Sequence, residues 1–370
     1  MSGRLRKLLK LLCFMLIMSS APMTGQILLD TSALNLVKKD VDNIYNYKFK
    51  EAEEEYSKIV RLYPGHPIVY LLRGMMTYWQ NYPMLHTSPS HVNFEDDMHE
   101  CIKISEKNTN PAYAPEYLLA DLCARGMLLM FYDDNDLIME VTHLTMSTYK
   151  NIRRAFDFTS KSTDLFYFTG IYNYYRETFP KAYPVYRSLA FLFPRGNIET
   201  GLKQLQTAAL NSIVIKAESA SLLAWIYLSF ENKLPESTHY CSILHENYPD
   251  NASFFSMYLR NLLLMKNYDE TEKLISSYSD VGDKFFQAQL EIIKGILEEK
   301  KYRNYKLAEE YYIKGINDIS IFGKYGNEYS AYAYFGLSRI SDDNGEKHTR
   351  KTYRKEALKL ADFKKINFDK

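Results

Sequence analysis

A histidine and a cysteine two residues apart occur twice in this chain, at His99 and Cys101 and at His239 and Cys241, the residue types that a metal or thiolate site would use. Both pairs lie in stretches with helical patterning. Side chains two apart on a helix point to different sides, so neither pair readily shares a metal. The string Met98-His99-Glu100-Cys101 lacks the second histidine one turn on that a zinc-peptidase helix requires. Asp133, Asp134, Asn135 and Asp136 offer oxygen ligands for calcium, yet the sharp-turn glycine and terminal glutamate of a calcium loop are missing, and the run reads as a solvated interhelical turn. There is no phosphate-cradling glycine loop and no Gly-x-Ser-x-Gly elbow, and no nucleophile, base and orienting group fall into one recognisable unit. The expectation is a protein that is not an enzyme and carries no metal or cofactor.

The elements that would position any site are helices. Pro and Gly together number 27 of 370 residues, too few for a chain of many turns and sandwich strands, while 32 Tyr and 20 Phe supply large side chains for helix seams. At the N-terminus, Arg4, Arg6, Lys7 and Lys10 precede an apolar run from Leu11 to Met18, and Ser19 to Gly25 is small and polar. The run is shorter than the roughly 20 residues of a bilayer span. That order predicts a secretory signal peptide over 1–25, cut after Gly25, and a product that is periplasmic, secreted or associated with the envelope. Cys13 sits inside the apolar run rather than after small residues at its end, which argues against a lipoprotein.

Removing that leader takes four of the 46 basic side chains and none of the 45 acidic ones, leaving a net charge of −3 and no footprint for nucleic acid. Cys101, Cys123 and Cys241 remain, an odd number at long separations, and predict no disulfide framework.

A repeat runs through the rest. In Tyr47 to Pro64, the small Ala52 allows close approach of two helices, Tyr56 and Ile59 continue one apolar face, and Pro64 ends the helix. Pro67 then opens the next helix, with Tyr70 at a large-aromatic site and Gly74 four residues later at a small-residue site. Gly201, Leu205 and Ala208 restate the second-helix sites, followed by Ala220, Leu223, Ala224 and Tyr227, then Ser237, Cys241, Leu244 and Pro249, then Phe255, Leu259, Leu262, Tyr268, Thr271 and Ile275. Looser copies hold Gly295, Ala308, Tyr312 and Gly315, then Tyr332, Gly336 and Ala357. With a spacing of about 34 residues, these positions resemble the tetratricopeptide-repeat superfamily. The resemblance implies an all-α, right-handed superhelical solenoid of seven or eight hairpins, a fold that names no ligand.

Two interruptions divide it. Residues 81–93 replace a tight turn by a Pro- and Ser-rich loop, and residues 176–195 insert a second long connection whose stretch Phe179 to Gly196 is apolar enough to predict a short buried helix between prolines. We expect N-terminal hairpins over 26–160 and C-terminal hairpins over 161–370. The second interruption, with Gly201-Leu-Lys-Gln-Leu205 and Tyr248-Pro249-Asp-Asn-Ala252, resembles the central part of the inclusion-body-clearance family of tetratricopeptide proteins over about 160–275, as shared architecture alone.

In the superfamily's register the first helices line the concave surface. This points Leu71, Met75, Tyr78 and Trp79 inward, then Tyr167, Ile171, Tyr174 and Tyr175, then Trp225, and then Ser256 and Arg260. Only Arg260 among them is basic, which does not suit capture of a terminal carboxylate. The expected function is a scaffold that binds a protein or peptide along an aromatic groove built from Tyr78, Trp79, Tyr167, Tyr174, Tyr175, Trp225 and Arg260. The alternatives are a carbohydrate-binding component or enzyme using that groove, and a structural subunit of an envelope assembly. The densely basic last helix, Lys347 to Lys365, reads as a solvated cap and favours a monomer or weak oligomer.

Overall fold

A computed structural model of the chain describes residues 26–27, 30–278 and 282–361. The expected leader, and the end of the expected last helix, lie outside these residues. Sixteen helices of at least ten residues run through the described chain. They pair as α1 (Thr31–Tyr45) with α2 (Phe49–Leu62), α3 (Pro67–Gln80) with α4 (Ser90–Glu106), α5 (Ala114–Asp134) with α6 (Ile138–Ala155), and α7 (Leu165–Ala182) with α8 (Ile198–Asn211). The second half repeats the scheme with α9 (Lys216–Ser229) and α10 (Leu234–Asn247), α11 (Ala252–Leu264) and α12 (Tyr268–Ser277), α13 (Lys284–Leu297) and α14 (Tyr305–Ile319), and α15 (Asn327–Asp343) and α16 (Lys347–Leu360). Helices pack on their neighbours in sequence throughout except between α12 and α13, where α13 packs on α11 instead, and first helices also touch those of the next hairpin, as α1 does α3 and α13 does α15. The described chain is an all-α solenoid of consecutive helical hairpins.

Local chemistry starts and stops the helices. Asp30 accepts from the Ser32 and Ala33 amides at the head of α1, Asn251 from Phe254 at the head of α11, and Asp283 from Phe285 and Phe286 at the head of α13. Pro67 occupies the first turn of α3, where its missing N–H costs nothing. In six hairpins a single left-handed residue reverses the chain: Tyr47, Asp136, Asn232, Lys266, Arg303 and Gly345. The α3–α4 and α7–α8 connections, the two interruptions, are the ones without such a residue among the described positions.

Close approach within hairpins depends on the small residues. A Cβ on Gly201 would stand 2.7 Å from the Tyr174 amide nitrogen, and one on Gly170 2.9 Å from the Leu205 side chain, so α7 and α8 cross nearly backbone to backbone. Tyr312 of α14 lies between Gly295 and Gly336, and its hydroxyl donates to Glu299 at 2.7 Å, which Arg339 also holds.

The buried apolar side chains form two clusters, Ile27 to Phe254 and Ala252 to Ile340. The first runs through residue 160, so the expected division there does not coincide with a break in the core. The loop of the first interruption is shorter than expected, because Ser90, His91, Val92 and Asn93 are already helical in α4. The second differs more. Helix α7 continues to Ala182, and beyond it lie a turn, Pro184–Tyr186, and a four-residue helix, Arg187–Ala190. The segment is not the buried plug its composition suggested, since Val185 and Phe191 are each 77% exposed and Leu192 62%. Direct packing of α7 on α8 through Gly170 and Gly201 leaves no space between them for it.

Candidate partner-binding surface

The concave side of the first hairpins is occupied by the chain itself. Trp79 meets Tyr45 edge-on at 5.5 Å between ring centroids, Tyr82 at 5.2 Å and, from the second half, Phe254 at 5.8 Å. Tyr82, in the first interruption, packs edge-on against Phe285 and Tyr325, and the Tyr325 hydroxyl donates to the Met84 carbonyl at 3.1 Å. Asn251 donates to the Tyr45 carbonyl at 2.8 Å, and the Asp250 amide to Asn46 at 3.0 Å. The acidic turn after α5 joins the same closure. Lys324 donates to the Asp133 carbonyl and carboxylate at 2.8 and 2.9 Å, and this partner raises its pKa against the opposing effect of burial.

This closure decides what the expected groove residues can reach. Tyr78 is buried against Phe94, Trp79 is half-buried in the inter-half seam, and Leu71 and Met75 are buried. Tyr174 is fully buried and donates to Glu231, so it faces the seam with α9 rather than an opening. Arg260 is buried too, bound to both Glu328 oxygens at 3.1 and 3.0 Å and to Asn261 at 3.1 Å. Ser256 is buried, its carbonyl accepting from Tyr329 at 2.9 Å. The structure therefore does not join the seven groove residues into one open surface.

A stretch remains open next to the second interruption. Tyr167, Ile171, Tyr175 and Phe179 follow one another at four-residue intervals along α7, and the first three are half-buried while Phe179 is exposed. Tyr175 meets Phe230 edge-on at 5.3 Å, Phe179 meets Tyr183 at 4.6 Å with the rings tilted by 41°, and Trp225 is half-buried on α9. Burial chiefly raises the phenol pKa values of Tyr167 and Tyr175, so both rings stay neutral and their surface is largely apolar.

The groups that could do chemistry are otherwise engaged. Cys101, Cys123 and Cys241 are buried and free of disulfides; burial pushes the Cys241 thiol up to about 11 and the other two higher still, so none is a thiolate at neutral pH. His99 and His239 are exposed. Among the described residues no group of three or more His, Cys, Asp or Glu is arranged to hold a metal. A polar cleft of about 230 Å³ lies between α4, α5 and α6, lined in part by Glu106, Asp121 and Asn151. The carboxylates converging there are committed: buried Arg125 binds Asp121 at 2.9 Å and Glu106 at 2.7 Å, and Asn151 donates to Asp121 at 2.6 Å.

Sequence reasoning did not find the exposed apolar side chains Val185, Phe191 and Leu192, nor Ile138, Met139 and Met146 on the outer side of α6. One signal was present: no Asp or Glu occurs between Glu177 and Glu199, where a solvated loop would carry them.

No protein-family model and no curated protein matches the chain in sequence. Among solved structures, the human IFIT1 dimer with PPP-AAAA is similar at a TM-score of 0.44 and 11% identity, the match covering 86% of this chain and 69% of that one.

Proposed function

We propose that this protein is an exported, non-enzymatic scaffold that binds a protein or peptide partner along the aromatic surface of α7 and α9 beside the 176–195 connection. The observation that carries the reading is the partly exposed row Tyr167, Ile171, Tyr175 and Phe179, of which Phe179 is the most open, continued by the half-buried Phe230 and Trp225. Aromatic rings give large contact area at low entropic cost, and an apolar stripe on a rigid helix suits an extended or helical segment. The solenoid holds that row in place through the α7–α8 contact. Tyr78, Trp79, Tyr174 and Arg260 then act from behind, as parts of the closed core.

A photo-crosslinking side chain at Trp225, in protein produced in its own cells, tests the site. A discrete adduct is expected, and Tyr175→Ala with Phe179→Ala should abolish it without changing the unfolding transition. An adduct that survives this double variant would show that the row does not bind. Export has its own test, the N-terminus of the accumulated protein: Gln26 is expected, and retention of residues 1–25 would sink that part of the proposal.

A further inference from the structure

The second interruption and the outer face of α6 form one surface with a property that partner binding along α7 does not use. Phe193 packs edge-on against Tyr149 of α6 at 4.9 Å, Tyr172 donates to the Pro194 carbonyl at 2.6 Å, and both Nε and Nη2 of Arg176 donate to the Phe193 carbonyl at 3.1 and 3.0 Å. These contacts fasten the end of the connection to α6 and α7. Met146 and Tyr149 are three residues apart on one face of α6, so an apolar pair leads to Phe193 and the exposed Leu192 and Phe191.

Charge accompanies the apolar tips. Residues 138–198, from the start of α6, hold eight Lys and Arg against four Asp and Glu, a net of +4 in a chain whose total is +1. Two of the four acids are spent internally: Asp164 is buried and accepts from the Ile213, Val214 and Ile215 amides, and Glu177 accepts from Arg176 and Gly196. Lys150, Arg154, Lys181, Arg187 and Arg195 are exposed.

From this juxtaposition we infer that the α6 face and the 183–195 connection dock on an anionic lipid bilayer. Apolar and aromatic tips enter the interface to a depth of about 5–10 Å, while the surrounding Lys and Arg meet the headgroups. Phosphates alone would satisfy the charge but would leave Val185, Phe191 and Leu192 in water. A second copy placed on the same face by two-fold symmetry would bring basic residues against basic residues, which disfavours a dimer there. The docking residues differ from the α7 row of the proposed partner site, so either can fail alone.

Flotation of the protein, expressed from Gln26, with vesicles of phosphatidylglycerol and phosphatidylethanolamine tests this. Association is expected with those vesicles, and little with phosphatidylcholine alone. It should fall in about 0.5 M salt, where the screening length shrinks to roughly 4 Å. The variant Val185→Ser, Phe191→Ser, Leu192→Ser should bind at least about tenfold more weakly. Lys150→Gln, Arg187→Gln, Arg195→Gln should lose about fivefold per charge. Because every altered side chain is on the surface, far-ultraviolet circular dichroism should be unchanged, and Ile321→Ser, another exposed apolar position, should bind as the parent does. Failure of the parent protein to float, equal flotation of the apolar variant, or a concentration-dependent dimer abolished by that variant would each overturn the inference.

Discussion

Tyr312 shows how single side chains hold this solenoid. Its ring fills the space that Gly295 and Gly336 leave free, and a Cβ on Gly336 would stand 2.3 Å from the ring. Gly336→Ala should therefore cost about 1–3 kcal/mol in urea unfolding, by forcing Tyr312 from its site and disturbing the Glu299 and Arg339 bonds. A cost near zero would mean that the α14–α15 seam is loose. Asp40 makes a second prediction. It is fully buried, neither carboxyl oxygen has a hydrogen-bond partner among the described residues, and burial, with smaller effects from Glu53 and Glu55, lifts its pKa to about 8. The unfolded chain titrates this carboxyl near 3.9. Between those values the folded state binds more protons than the unfolded one, so this group lowers stability as pH rises from about 4 to about 8, by at most roughly 1.4 kcal/mol per pH unit. Asp40→Asn should flatten that slope and gain on the parent at pH 8; identical pH profiles would show that Asp40 ionises normally.

At the scale of elements, the hairpin turns and the 176–195 connection behave differently. Gly345 has φ of 78° with open space where a Cβ would go, so only backbone strain opposes a side chain there. Gly345→Ala should cost about 1 kcal/mol in thermal or chemical unfolding, the penalty of an L-residue in the left-handed region. The connection, by contrast, should be almost silent. Phe191→Ser should change stability by no more than about 0.5 kcal/mol, as surface replacements do. A loss of about 3 kcal/mol or more would show that Phe191 is packed in solution as a core aromatic.

For the whole molecule, the aromatic seam between halves determines whether the solenoid is an open spring or a closed body. Tyr82 packs against Phe285 and Tyr325 and borders both apolar clusters. Tyr82→Ala should cost about 3–5 kcal/mol and split one calorimetric transition into two, because repeats joined only to sequence neighbours lose their shared cooperativity. Retention of a single transition at the parent temperature would show that the sequential hairpin contacts suffice. Closure also explains why Trp79 cannot serve as an open groove residue, since Phe254 covers it, whereas Arg260 is neutralised within the second half by Glu328.

What the sequence determined by itself was the local grammar. Ala52, Gly201, Gly295 and Gly336 at the small-residue sites, Pro67 at a helix start and the two irregular connections marked hairpins and their interruptions, since helix periodicity, capping and close approach are short-range properties carried by residues a turn or a hairpin apart. What only the tertiary structure decided was exposure. Whether Tyr78 faces solvent, whether Tyr82 meets Tyr325 some 240 residues away, and whether the apolar 183–195 segment is covered all depend on how small rotations between successive hairpins accumulate. No single repeat encodes that sum. The same composition that read as a buried plug is left outside because the glycines of α7 and α8 had already closed the space it would have filled.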